Sequence, residues 1–105
     1  MIVKSMIELI GNTPLLEIKI KNSAWKVYLK LQKFNPGQSM KDRMALNMIC
    51  QAEKEGKLHP GGTIIESSSG NTATGLALIS AIKGYRFIAV VDHHASIDKI
   101  KIIKA

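Results

Sequence analysis

The sequence predicts an α/β fold: a parallel sheet whose strands are joined by crossover helices. Three observations carry this expectation. Apolar residues alternate from Trp25 to Leu31 (Val27, Leu29 and Leu31) and run unbroken from Phe87 to Val91, two strand patterns. Between and after them, apolar residues recur at helical spacing in three segments. Glycine and proline breaks separate the pieces at Asn35-Pro36-Gly37, Pro60-Gly61-Gly62 and Gly84. Strand, helix, strand, helix, strand, helix is the order of a parallel sheet with crossovers.

The first 24 residues read as irregular, with Gly11-Asn12-Thr13-Pro14 as a turn between short apolar pieces. After the strand at 25–31, Ser39 with Asp42 three residues on resembles a capping box. Met44, Ala45, Met48, Ile49 and Ala52 then share one helical face, and Gly56 is the natural stop. Thr63 to Glu66 is a short strand, and Ser67 to Thr72 a small polar loop. Ala73, Leu76, Ala77 and Ser80 mark the face of the next helix, ended by Gly84. The continuous run from Phe87 to Val91 suits a buried parallel strand. A third helix runs from Asp98 to Lys104, with Ile97, Ile100 and Ile103 three apart. No glycine, asparagine or proline closes it before Ala105, so the pattern reads as an unfinished α/β domain, whose open sheet edge is expected to favour self-association.

Composition narrows the functional classes. The chain has 105 residues, 46% of them hydrophobic and 22% charged, which fits one globular domain and excludes disordered and collagen-like chains. No apolar run approaches the roughly 20 residues that span a bilayer, and the N-terminus lacks a secretory pattern. With one cysteine, Cys50, no internal disulfide forms, and a reducing cytoplasm is the expected compartment. The net charge of +7 comes almost wholly from dispersed lysines; Arg43 and Arg86 are the only arginines. Nucleic-acid readers concentrate charge and favour arginine, so a basic soluble surface is the better reading.

In a parallel sheet, ligands bind beyond the carboxyl ends of the strands. Three polar segments are expected there: Asn35 to Lys41, Ser67 to Thr72, and Asp92-His93-His94. The second runs into a helix whose free N–H groups and partial positive charge suit a carboxylate or phosphate. Ser68, Ser69 and Thr72 add hydroxyls, and Gly70 admits close approach to the backbone. One serine would suffice for a plain helix cap, so an anion site is the stronger reading.

Lys41 falls in the first turn of its helix, where the dipole disfavours an ammonium by about 0.3–1 kcal/mol. That is too little to free a nucleophilic amine, so desolvation or a covalent carbonyl partner must supply the rest. Asp42 is expected to offset part of the charge. Asp92-His93-His94 resembles one metal-binding motif of a family of metallophosphoesterases, but a two-metal site needs more ligands than Asp42, His59 and these three provide. No metal centre is expected, and the two histidines are read as loop residues on a cleft rim. Cys50 is expected to be a small buried hydrophobe.

Asn35-Pro36-Gly37-Gln38-Ser39-Met40-Lys41-Asp42-Arg43 resembles the Asn-Pro-Gly-x-Ser-x-Lys-Asp-Arg segment of the cysteine synthase and cystathionine β-synthase family. Ile10-Gly11-Asn12-Thr13-Pro14-Leu15 resembles that family's N-terminal Gly-Asn-Thr-Pro motif, and Glu66 to Thr72 its substrate-carboxylate loop. The three occur in the family's order, and the resemblance covers essentially the whole chain. It implies the N-terminal portion of a two-domain enzyme of the tryptophan-synthase-β-like fold, dependent on pyridoxal 5'-phosphate and homodimeric at full length. Lys41 would carry the cofactor and later move a proton. Asn71 would hydrogen-bond its ring hydroxyl. Ser68, Ser69, Gly70 and Thr72 would hold the α-carboxylate of a serine derivative. The implied reaction is β-replacement, as in cysteine biosynthesis: loss of the group on the β-carbon, then addition of sulfide, homocysteine or an amine.

Three features depart from the family pattern. Gln38 and Ala73 stand where glycine is common, and Asp92-His93-His94 replaces the segment usual in cysteine synthases. Ser-Met-Lys-Asp-Arg also resembles synthases of diaminopropionate-type precursors, so the acceptor stays open. Family members are about three times longer, as two domains of ordinary size require. Their phosphate-binding loop and the residue facing the pyridine nitrogen lie beyond the position of Ala105. The chain alone is therefore expected to be catalytically weak or dead, and a non-catalytic remnant or interaction module is the alternative.

Overall fold

The computed structural model describes residues 1–105, and its α/β content agrees with the sequence pattern. The strands are β1 (Leu15–Lys19), β2 (Lys26–Lys30), β3 (Thr63–Ser67) and β4 (Arg86–Val90). The helices are α1 (Lys41–Lys54), α2 (Asn71–Lys83) and α3 (Ile97–Lys104), with short 3-10 turns at Met6–Leu9 and Gln32–Phe34.

β3 and β4 form a parallel pair, in register from Thr63–Arg86 to Ser67–Val90, with α2 as the crossover. Gly84, with φ of 78°, closes α2 in the left-handed conformation that glycine adopts without a steric cost.

The first strand read from the sequence belongs elsewhere. β2 pairs antiparallel with β1 in a separate two-stranded sheet, from Leu15–Lys30 to Lys19–Lys26. The segment read as irregular therefore contains a strand. Its apolar residues alternate: Leu16 and Ile18 stand opposite Leu29 and Val27, on one face of the hairpin. Alternation of this kind marks an antiparallel pair with a solvated face, whereas the unbroken run in β4 marks a parallel strand. As a consequence the three polar segments do not line one sheet edge. Only Ser67–Gly70 and Asp92–His94 follow strands of the parallel pair.

The core lies between the helices. Ala45 and Ile49 of α1 meet Leu76 and Ile79 of α2, with Ile7, Ile10, Ile64 and Phe87 packed around them. The buried stripe of α1 is Asp42, Ala45 and Ile49, rotated from the expected face. Met44 and Met48 point outward, and Cys50 is exposed rather than buried.

α1 and α2 touch closely because Gly75 has no side chain. A Cβ there would lie 3.3 Å from Ala45 Cβ, Asp42 Oδ1 and the Lys41 carbonyl oxygen. At the other end Glu53 of α1 accepts hydrogen bonds from Lys83 Nζ (2.9 Å) and Tyr85 Oη (2.7 Å). The two helices thus run side by side in the same direction, with both N-termini at one end of the pair.

Candidate functional site

Lys41 is the first residue of α1, and Asn71 the first of α2. Gly75, which contacts the Lys41 carbonyl, lies four residues into α2, about 6 Å along the axis from its start. The structure therefore gathers the amine-bearing turn and the serine loop at the shared N-terminal end of the helix pair.

The segment before Lys41 is held in place by buried polar groups. Gly37 N–H donates to Asp42 Oδ2, and Lys41 N–H donates to Ser39 Oγ at 3.1 Å. The expected capping box is thus replaced by a longer reach, from Asp42 back to Gly37. Only glycine allows it: a Cβ on residue 37 would stand 2.2 Å from Asp42 Oδ1. Asp42 forms no direct ion pair with Lys41. It is fully buried, its Oδ1 has no partner, and it makes no ion pair. Burial pushes its carboxyl above the ordinary value, against a smaller lowering by the Gly37 hydrogen bond.

A second polar network ties the Gly-Asn-Thr-Pro turn to this segment. Gly11 N–H donates to Asn35 Oδ1 (2.8 Å), and Asn35 Nδ2 donates to Gln32 Oε1 (3.0 Å). Arg43 closes the ring, from Nε to Gln32 Oε1 and from Nη2 to Thr13 Oγ1, both at 3.1 Å. Thr13 and Asn35 are buried, where unpaired polar groups would be costly. Sequence reasoning quoted Thr13, Asn35 and Arg43 within motifs but gave them no role, and it missed Gln32 and Gly75. Two motifs carrying buried polar residues were the available signal.

The Lys41 side chain is half-buried and makes no hydrogen bond or ion pair. Gly70 caps α2 without a side-chain bond to the helix, and a Cβ at Gly70 would meet nothing within 4 Å. The Gly70 cap thus faces open space, and no side chain caps the first N–H groups of α2. Ser68 Oγ accepts from Gly70 N–H at 3.2 Å, which shapes the loop. The side chains of Ser69, Asn71 and Thr72 make no hydrogen bond within the chain. Donors without internal partners at an open helix start are suited to a carboxylate or phosphate. A cavity of about 830 Å³ lies beside this region; it touches Gly37 and Thr74 but is lined mostly by apolar residues of α2, β4 and α3.

Asp92, His93 and His94 sit on an exposed turn after β4, and His59 lies in a separate loop before β3. No helix is long and apolar enough to cross a membrane.

Comparison with known proteins agrees with the three motifs. A cysteine synthase from Flavobacterium sp. is 48% identical over 103 residues, which is 97% of this chain and 34% of that protein. Cystathionine beta-synthase from Saccharomyces cerevisiae is 46% identical over 106 residues, covering 96% of this chain and 21% of that one. The crystal structure of a hydrogen sulfide-producing enzyme from Fusobacterium nucleatum superposes with a TM-score of 0.95 at 46% identity, over 99% of this chain and 35% of that one. The chain thus spans about a third or less of these relatives. The family described as pyridoxal-phosphate dependent enzyme matches residues 6–105. Taken with the amine, the open helix start and the buried polar network, that match shows that the chain belongs to the pyridoxal-phosphate dependent enzyme family.

Proposed function

We propose that the chain supplies the lysine and the carboxylate-binding loop of a pyridoxal-phosphate dependent site for β-replacement on serine or an O-activated serine. One observation carries this reading. The unpaired Lys41 amine and the uncapped start of α2 share one end of a helix pair locked by Gly75. The donor set fits the cofactor: a primary amine to attach an aldehyde, a carboxamide at Asn71 for a ring hydroxyl, and an open N-terminal turn for an anion.

When bound, the cofactor supplies an electron sink that lets an amino acid lose its α-proton and then its β-substituent. Lys41 would hold the cofactor, and its Nζ would take the α-proton of the substrate. Ser68, Ser69, Gly70 and Thr72 hold the α-carboxylate through hydroxyl and backbone N–H donors, fixing the α-carbon near that amine. Asn71 would orient the ring. The relatives are named for making cysteine, cystathionine and hydrogen sulfide, and the acceptor nucleophile and the leaving group stay open for this chain.

The test is covalent trapping. The full chain is incubated with pyridoxal 5'-phosphate, reduced with borohydride and mapped by peptide mass spectrometry. A single stoichiometric adduct on Lys41, absent from Lys41→Ala, is expected. Adducts scattered over surface lysines, or none, would overturn the reading.

A further inference from the structure

The proposed function gives no role to the cluster after β4, whose geometry has a chemistry of its own. We propose that Asp92, His93 and His94 bind a divalent late-transition-metal ion of the zinc class. One carboxylate and two imidazoles lie with their ligand atoms all within 4.8 Å of one another. His93 Nδ1 stands 3.1 Å from Asp92 Oδ1. A tetrahedral zinc ion, bonded at about 2.0–2.2 Å, holds its ligand atoms roughly 3.3 Å apart. One edge of the coordination polyhedron is therefore already formed.

The turn fixes the carboxylate before any ion arrives. His94 N–H donates to Asp92 Oδ1 at 3.0 Å, and Ala95 N–H to the Asp92 carbonyl at 2.9 Å. Asp92 Oδ2 stays free, and neither lysine nor arginine pairs with the carboxylate. The two imidazole rings lie 3.8 Å apart, so both reach one ion after a rotation of exposed side chains. All three residues are exposed, which leaves the path open and lets water complete the shell. Three protein ligands plus an open position is the donor set of a labile zinc site rather than a closed structural one. Val90, the last residue of β4, pairs with Ser67, so the ion would sit past the same end of the parallel pair as the serine loop.

Zn2+ is titrated calorimetrically into the full chain and into His93→Ala, His94→Ala, Asp92→Asn, His59→Ala and Cys50→Ala. One ion per chain is expected. Each of the two cluster histidine variants should weaken binding at least about tenfold, while His59→Ala and Cys50→Ala bind as the parent does. Far-UV circular dichroism of the exposed-site variants should match the parent. With Co2+ as probe, d–d absorption without a thiolate charge-transfer band is expected. Three results would overturn the site: no one-to-one binding below about 1 mM, binding that survives in His93→Ala/His94→Ala, or binding lost with Cys50→Ala.

Discussion

The β1–β2 hairpin and the α1–α2 pair are built on opposite terms. No residue of either hairpin strand is buried, and Leu16 and Leu29 on its apolar face are 49% and 46% exposed. The helix pair holds all the buried hydrophobic residues: Ala45, Ile49, Ala73, Leu76 and Ile79. The hairpin's open end is closed by Leu31 N–H to the Pro14 carbonyl (3.0 Å) and Lys30 Nζ to the Thr13 carbonyl, and Thr13 in turn accepts from Arg43 Nη2 of α1 at 3.1 Å, a polar link to the helix pair. The apolar free energy of this chain is thus concentrated where Lys41 and the serine loop are held, and the hairpin adds little to it.

That contrast can be broken outright. Ile79→Ala, at a fully buried site, is expected to cost about 2–5 kcal/mol. Leu16→Ala in the hairpin is expected to cost less than about 1 kcal/mol, because half its surface already faces water. Urea titration followed by circular dichroism measures both. Equal costs would mean that the hairpin shares the core after all.

Gly37→Ala tests the link between the two regions. A Cβ at 37 has no room beside Asp42, so a loss of about 1–3 kcal/mol is expected. Because the same contact sets the approach to Lys41, trapping at Lys41 should fall in this variant even under conditions where it stays folded. Unchanged trapping would show that the Gly37–Asp42 contact does not position the lysine.

The smallest effect is a slope. Asp42 is ordinary in the unfolded chain, near 3.8, and raised in the folded one. As pH climbs from about 3.8 through the folded value, the unfolded chain gives up this proton first, so stability falls. Glu53 acts in the opposite sense: its value is lowered below 4.5, first by the Tyr85 hydrogen bond and then by Lys83, so its contribution is lost as pH falls through the folded value. The difference between the parent and Asp42→Asn isolates the first effect. Asp42→Asn should flatten the decline and leave stability at neutral pH equal or higher; a parallel decline in both chains would remove Asp42 as its source.

Much of this was legible in the sequence. β3, α2, β4 and α3 lie within a few residues of their expected bounds, because helical spacing and an unbroken strand run are local signals. Gly84 ends α2 as its left-handed φ requires. The pairing of β2 was not legible from its own residues, since alternation fixes a face and not a neighbour. β1 was lost because Leu15-Leu16-Glu17-Ile18-Lys19 follows a proline and a turn signal and is barely buried. Cys50 was misplaced because composition favours burial of cysteine, whereas the buried stripe of α1 runs through Asp42, Ala45 and Ile49. For the candidate site, the residues at the two helix starts could be listed in advance. That the two starts share one end of the helix pair could not: it depends on the missing side chain of Gly75, a contact between segments distant in the chain. Gln38 shows the same limit. A family glycine position there is explained by its φ of 62°, which only the structure reveals.

The Gly75 contact also sets how near the two helix starts can lie. An added Cβ there would stand 3.3 Å from the Lys41 carbonyl oxygen, Asp42 Oδ1 and Ala45 Cβ, so any larger side chain would have to push α1 away from α2. The spacing between the amine-bearing turn and the start of α2 thus depends on a side chain that is not there.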